Sequence, residues 1–471
     1  MLELPKTFVL GAATAAYQVE GSSKVDGKGR VLWDEFLERQ GRFSPDPASD
    51  FYNRYEEDIK LASEHGIKAL RISIAWSRIF PKGYGDVNQK GVKYYKKVFA
   101  TCRKYNIEPY VTLHHFDTPE ELFKQGDWLC KENITHFVNY AAYCFETFKD
   151  DVHYWMTINE PIAYTLGQYV TGAFPPGEQY QVVKCLQAQH NLIVAYSKVV
   201  KLYKEKGYNG EIGFIHALTQ IYPIDQQPEN VKAAKVQDTF INGFLLDGTF
   251  LGAYSSEKMD VINHILNIYD GSLDMTEAEM TIIKEASQLQ DFLGINYYQS
   301  NWVKSNEADS LIHHNGTGDK GSSIFKLKQI AEIVKNHDVP TTDWDWYIYP
   351  KGLYDMIMRI KEDYRNYKKL LITENGLGYK DQFIDEQTII DDQPRIDYIA
   401  AHLESISDAI KDGVNVTGYF VWSLQDMFSW SNGYNKRYGL FYIDFETQKR
   451  YIKKSALWYK ALSESLANKT E

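Results

Sequence analysis

The chain has 471 residues, with 52 Lys and Arg against 63 Asp and Glu, a formal net charge of −11. That acidic balance disfavours nucleic acid or an anionic membrane surface as the main partner, though a local basic pocket can still take an anionic small ligand. The length exceeds one average domain and suits an α/β barrel with long loops, which buries enough core to need no disulfide.

The four cysteines, Cys102, Cys130, Cys144 and Cys185, lie far apart with no CxxC pair. They read as buried thiols of a reducing compartment rather than a staple or a zinc knuckle. The stretch Met1–Lys6 lacks a basic segment followed by an apolar one, and no apolar run approaches the ~20 residues that span a bilayer. The expectation is a cytoplasmic protein. Trp, Tyr and Phe make up 14% of residues. Sugar rings stack on aromatic faces, so the excess mildly favours a carbohydrate cleft.

Short β-rich apolar segments recur in chain order at Phe8–Ala13, Ala69–Ile74, Pro109–Leu113, Tyr154–Ile158, Ile212–Ile215, Phe292–Ile295, Leu370–Thr373 and Val416–Trp422. Segments with helical spacing lie between them, among them Tyr52–Glu64, Lys90–Tyr105, Ile134–Phe148, Ala188–Lys206 and Tyr398–Lys411. Eight strands alternating with helices predict a single (β/α)8 TIM barrel over residues 1–471, with long βα-loop insertions. The longest irregular stretch, Asn306–Asp338, reads as a flexible surface insertion. Its run Gly316–Gly321 matches GxGxxG spacing, but a polar loop precedes it where a dinucleotide site needs a strand and then a helix.

In a barrel the C-terminal strand ends build the active face. The residues at or after those ends include Gln18, Glu20, Arg71, His114, His115, Asn159, Glu160, Asn296, Tyr298, Glu374, Trp422 and Asp426. Two carboxylates at separate strand ends suit glycoside cleavage, one ionised to attack the anomeric carbon and one protonated to serve the leaving oxygen. Glu374 and Glu160 are the candidates, and their environments must differ for both forms to coexist at neutral pH. Arg71 is placed to hold the nucleophile ionised, Tyr298 to donate to the same carboxylate, and Asn159 to hold a sugar hydroxyl. His114 and His115 are adjacent on a strand and point to opposite faces, so they cannot easily share a metal ion. No metal and no cofactor is expected.

Four segments carry a family resemblance: Phe8–Gly21, Arg71–Pro81, Thr157–Pro161 and Ile372–Gly376. Together they resemble glycoside hydrolase family 1, a retaining (β/α)8 family, in the family's order and across nearly the whole chain. The resemblance implies Glu160 as acid/base and Glu374 as nucleophile. It also implies that Gln18, His115, Asn159, Asn296 and Trp422 bind the glycone. A retaining pair implies carboxyl groups ~5 Å apart.

The segment Trp422–Trp430 departs from the family's common pattern. Members acting on unphosphorylated sugars carry a glutamate where this chain has Ser429. Ser429, Lys436 and Tyr438 together form a compact set of donors. Losing an acid and gaining a cation suits a phosphate on the sugar's sixth carbon, since like charges brought together in a desolvated site cost several kcal/mol. The set resembles the branch of the family that acts on sugar 6-phosphates. Trp430 resembles the galactoside side of that branch, and so do Leu113–Pro119, Gly433–Phe441 and Thr342–Trp346, the last bringing in Trp346. Glu160-Pro161-Ile162-Ala163 instead follows the general family, which leaves the leaving-group preference open.

The expected substrate is a β-galactoside 6-phosphate such as phosphorylated lactose. A glucoside 6-phosphate, or both sugars, is the first alternative. A non-catalytic sugar-phosphate-binding protein on the same fold is the second. The sequence leaves the oligomeric state open, and a monomer satisfies everything above.

Overall fold

A computed structural model describes residues 2–469. Eight strands close into one parallel barrel: β1 (Val9–Ala13), β2 (Ala69–Ser73), β3 (Glu108–His114), β4 (Tyr154–Asn159), β5 (Glu211–Ala217), β6 (Phe292–Asn296), β7 (Leu370–Asn375) and β8 (Val416–Trp422). Each strand pairs with its neighbours in chain order, and β1 closes the ring on β8 with Val9 opposite Gly418 and Ala13 opposite Trp422. The expected strands are therefore present within one or two residues of their predicted ends.

The reason lies in burial. Every residue of β2, β6 and β7 is buried. A strand covered on both faces must be apolar along its length and so stands out in sequence. The intervening helices bury one stripe each. Helix Gln89–Lys104 puts Val92, Tyr95, Val98, Phe99 and Cys102 inward, a spacing of three to four residues, and the Asn88 side chain caps its first turn at Lys90. Cys102, Cys144 and Cys185 are buried thiols, Cys130 is partly buried, and all four are free.

The expected flexible insertion is instead ordered. Leu311–His313, Ile324–Leu327 and Ala331–Ile333 join Gln220–Pro223 and Ser300–Lys304 in a five-stranded sheet. Leu327, Ile330, Ala331 and Val303 are almost fully buried within it. Strands of three or four residues are too short to display a two-residue period, so the sequence pattern concealed them. The Gly316–Gly321 run is the turn of an antiparallel hairpin, with Gly318 and Gly321 at positive φ, and a strand rather than a helix follows it. This sheet stands over the barrel mouth and carries His314 to it.

Candidate active site at the barrel mouth

Glu160 and Glu374 face a common cavity of about 190 Å³ at the C-terminal end of the barrel. A larger surface groove of about 510 Å³ near Arg30 and Arg42 is lined by three carboxylates. Those three are already engaged by Tyr17, Arg30 and Ser23. The chemistry therefore concentrates in the smaller, barrel-end cavity.

Both glutamates are aimed by local irregularities of their strands. Along β7, Ile372 pairs with Ile295 but Glu374 pairs with Asn296, so an extra residue is accommodated just before the acid. β4 slips in the same way against β5 between Met156 and Asn159. Bulges of this kind re-aim side chains at barrel rims. Glu160 itself has φ 47° and ψ 64°, a left-handed conformation unusual for a side-chain-bearing residue. It sits at the turn into helix Pro161–Tyr169, whose proline opens the first turn.

Arg71 is the hub beneath the pair. Its guanidinium pairs with Glu374 Oε1, donates to Asn159 Oδ1 at 2.6 Å and donates to Thr112 Oγ1 at 3.0 Å. Tyr298 donates to Glu374 Oε2 at 2.6 Å, so both oxygens of that carboxylate are held. Glu160 has no cation within ion-pair distance among the described residues. It accepts one hydrogen bond from Asn296 Nδ2 at 2.7 Å, and the same amide donates to Asn159 Oδ1 at 3.1 Å. Thr373 fixes the Asn296 amide by donating to its oxygen at 2.6 Å.

These surroundings separate the two acids. Burial pushes the Glu160 carboxyl up to about 8, and the charge of Glu374 pushes it the same way. Glu374 is also raised by burial, but Arg71, Tyr298 and Asn296 all draw it back. The first proton of the pair therefore leaves Glu374, and its charge keeps the second on Glu160.

The remaining wall is aromatic. His115 and Trp422 stack at 5.8 Å and 15°, and His115 Nε2 lies 3.2 Å from the Asn159 amide. His114 turns away and packs against Trp128 and Tyr164, its Nε2 2.9 Å from Thr118 Oγ1. Gln18 donates to the Phe428 carbonyl at 2.7 Å, while Gln18 Oε1 and His115 Nδ1 are buried without a partner among the described residues. Trp430 is clamped between Tyr17, stacked at 5.7 Å and 4°, and Trp33, at 4.6 Å.

The eighth loop places Ser429, Trp430 and Tyr438 on the cavity wall. Lys436 stands one layer behind. Its ammonium lies 3.5 Å from the centre of the Trp346 ring and near the rings of Trp344 and Tyr438. It is buried, its charge is disfavoured by that burial, and no carboxylate lies within ion-pair distance of it among the described residues. Gly378 makes the space, because a Cβ there would lie 2.5 Å from Lys436 Cε and 3.0 Å from the Tyr438 ring. Arg437, next in sequence, turns away from Lys436 to pair with the buried Asp426 at 2.6 Å.

A family model described as Glycosyl hydrolase family 1 matches residues 2–468. The chain belongs to glycosyl hydrolase family 1. A protein of Staphylococcus haemolyticus (strain JCSC1435) named 6-phospho-beta-galactosidase is 56% identical over 466 residues, 99% of each chain. Its namesake in Staphylococcus aureus (strain JH9) is 56% identical over 463 residues, 98% of each. Among solved structures, a family 1 β-glucosidase from Thermotoga maritima superimposes with a TM-score of 0.88 at 33% identity, covering 100% of both chains. The same enzyme in complex with glucoimidazole gives 0.88 at 34%.

Within this family 1 site, Gln18, His115, Glu160, Tyr298, Trp346, Glu374, Trp422, Ser429, Trp430 and Tyr438 all reach the cavity wall. Arg71, Asn159, Asn296 and Lys436 do not, and act from behind it. Phe116 and Ala163, from the Leu113–Pro119 and Glu160–Ala163 segments singled out in the sequence, also line the cavity, as do Phe174, His314, Ser431 and Asn432, which sequence reasoning missed. Ala163 belongs to the segment that departs from the galactoside branch, so that departure reaches the cavity itself. His314 was hidden in the supposed flexible insertion.

Proposed function

We propose that the protein is a retaining 6-phospho-β-galactosidase that hydrolyses β-galactoside 6-phosphates, phosphorylated lactose among them, in the cytoplasm. The whole chain works as a single catalytic domain. The observation that carries the reading is Lys436, a buried lysine with no carboxylate within ion-pair distance among the described residues, standing behind a wall where Ser429 replaces the family's glutamate. A buried unpaired cation is costly and needs an anion to compensate it. The 56% identical relatives bearing the corresponding name support the same substrate.

Glu374 attacks the anomeric carbon as a carboxylate while Glu160 gives its proton to the leaving oxygen, so the C–O bond breaks as the glycosyl–Glu374 ester forms. Esterification removes the charge of Glu374, one of the two causes that raise Glu160. Glu160 then becomes the stronger acid, and as a carboxylate it takes a proton from the water that displaces Glu374. The Asn296 amide that bonds Glu160 also acts on Glu374. A shared amide supports the short separation of retaining pairs, ~5–5.5 Å, over the ~6.5–9.5 Å of inverting ones. Gln18 and His115 grip the glycone hydroxyls from the cavity wall, and Asn159 orients His115 from behind it. Trp430, held between Tyr17 and Trp33, sets a rigid indole beside O4.

Proton NMR of the reaction with nitrophenyl β-galactoside 6-phosphate tests this. The first sugar released carries the β-configuration. Release of the α-anomer, or no hydrolysis, contradicts the proposal.

A further inference from the structure

His314 sits on the hairpin carried by the five-stranded sheet, far in sequence from the eighth loop. Its Nε2 lies 2.8 Å from Ser431 Oγ, and both residues line the same cavity as Ser429 and Tyr438. Burial holds the His314 imidazole down at about 4, and Lys436, His313 and Arg42 push it the same way, so the ring is neutral near pH 7. Arg42 makes no ion pair among the described residues, and its guanidinium approaches the same hairpin at Gly316. The cavity beside Ser429 is thus lined by His314 from the inserted sheet, with Lys436 behind the Trp346 wall and Arg42 outside it against the same hairpin.

We propose that His314, through Ser431, is a further specificity residue for the phosphate, supplied by the inserted sheet rather than by the barrel. This rests on the phosphate reading of the pocket and adds a ligand to it. With Nε2–H donating to Ser431 Oγ, the serine's own O–H is free to donate into the cavity toward a phosphate oxygen. Lys436 approaches from the opposite side, behind Trp346. The dianion, with a charge of about −1.5 to −2 and three acceptor oxygens, then meets Ser429, Tyr438 and Ser431 in front, with Lys436 and the neutral His314 imidazole behind them. Hydrogen bonds to a charged partner are the strong ones, so a relay of this kind discriminates phosphate from a plain hydroxyl.

The test compares His314→Ala, His314→Gln and the unaltered enzyme on nitrophenyl β-galactoside with and without the 6-phosphate. The expected result for His314→Ala is a KM for the phosphorylated substrate raised about tenfold, the effect of one charge-assisted hydrogen bond. Its kcat stays within about twofold, and the ratio of kcat/KM between the two substrates shrinks by the same factor. His314→Gln, which keeps a donor to Ser431, restores most of the loss. An unchanged KM for His314→Ala, or an equal loss on both substrates, overturns the role of His314. If the unaltered enzyme itself does not prefer the phosphorylated substrate, the underlying phosphate reading fails first.

Discussion

Arg71 on β2 and Glu374 on β7 form an ion pair in which both side chains are almost completely buried. Breaking such a pair by removing one member leaves an uncompensated charge, at a cost of about 3–5 kcal/mol. Here the remaining charge would be the nucleophile's own. Arg71→Met is therefore expected to let Glu374 keep its proton to a higher pH, lowering kcat/KM at pH 7 by about a hundredfold or more. The acidic limb of the pH–rate profile should shift upward. A loss of rate with that limb unmoved would show that Arg71 does not set the ionisation of Glu374.

Replacing the nucleophile separates binding from chemistry. Glu374→Gln is expected to abolish turnover while galactose 6-phosphate binding, read by calorimetry, stays measurable. An active Glu374→Gln protein would place the nucleophile elsewhere.

Glu160 makes a stability prediction with a definite sign. Its carboxyl is held up at about 8 in the fold but ionises near 4.3 in the unfolded chain. Between these values the folded state binds more protons than the unfolded one, so stability falls as pH rises through that window. Glu160→Gln cannot ionise. Its thermal midpoint should exceed that of the unaltered protein at pH 8 and approach it at pH 4. The same proton sets activity, with kcat/KM for the unaltered enzyme falling as pH rises through about 8.

Gly378 offers a way to disturb Lys436 without touching the carboxylates. A Cβ at 378 would crowd both Lys436 and Tyr438. Gly378→Ala should reduce kcat/KM for a galactoside 6-phosphate by about tenfold and for the plain galactoside by much less. Equal losses would mean a general distortion of the loop.

The eighth loop hangs on a buried network in which Asp426 meets Lys453 at 2.7 Å and Arg437 at 2.6 Å, while Lys453 also meets Asp381 at 2.7 Å. Lys453→Met removes one charged donor from each of two buried carboxylates, Asp426 keeping Arg437 and Asp381 keeping Arg395. It should lower unfolding free energy by about 1.5–3 kcal/mol, seen as a lower denaturant midpoint at unchanged slope.

The barrel and its two acids were legible because the strands are buried on both faces and end in carboxylates at fixed places in chain order. Glu160 and Glu374 could be paired from sequence, but their unequal surroundings could not. These depend on Arg71 and Tyr298 converging on one acid while Asn296 alone reaches the other. The same limit applies to Lys436. Sequence marked it as a phosphate donor, yet its seat behind Trp346 is set by contacts between distant loops and by the missing side chain at Gly378. The inserted sheet was misread because its strands are too short to show a period, and His314 went with it.

In the proposed function, Ser429 and Lys436 convert a family 1 glycone site into one for a sugar phosphate. The most direct measurement is kcat/KM for nitrophenyl β-galactoside 6-phosphate beside nitrophenyl β-galactoside and nitrophenyl β-glucoside 6-phosphate. The expected result is cleavage of the first far faster than of either other substrate. Comparable rates with and without the phosphate would contradict the pocket, and a faster glucoside phosphate would contradict the role given to Trp430.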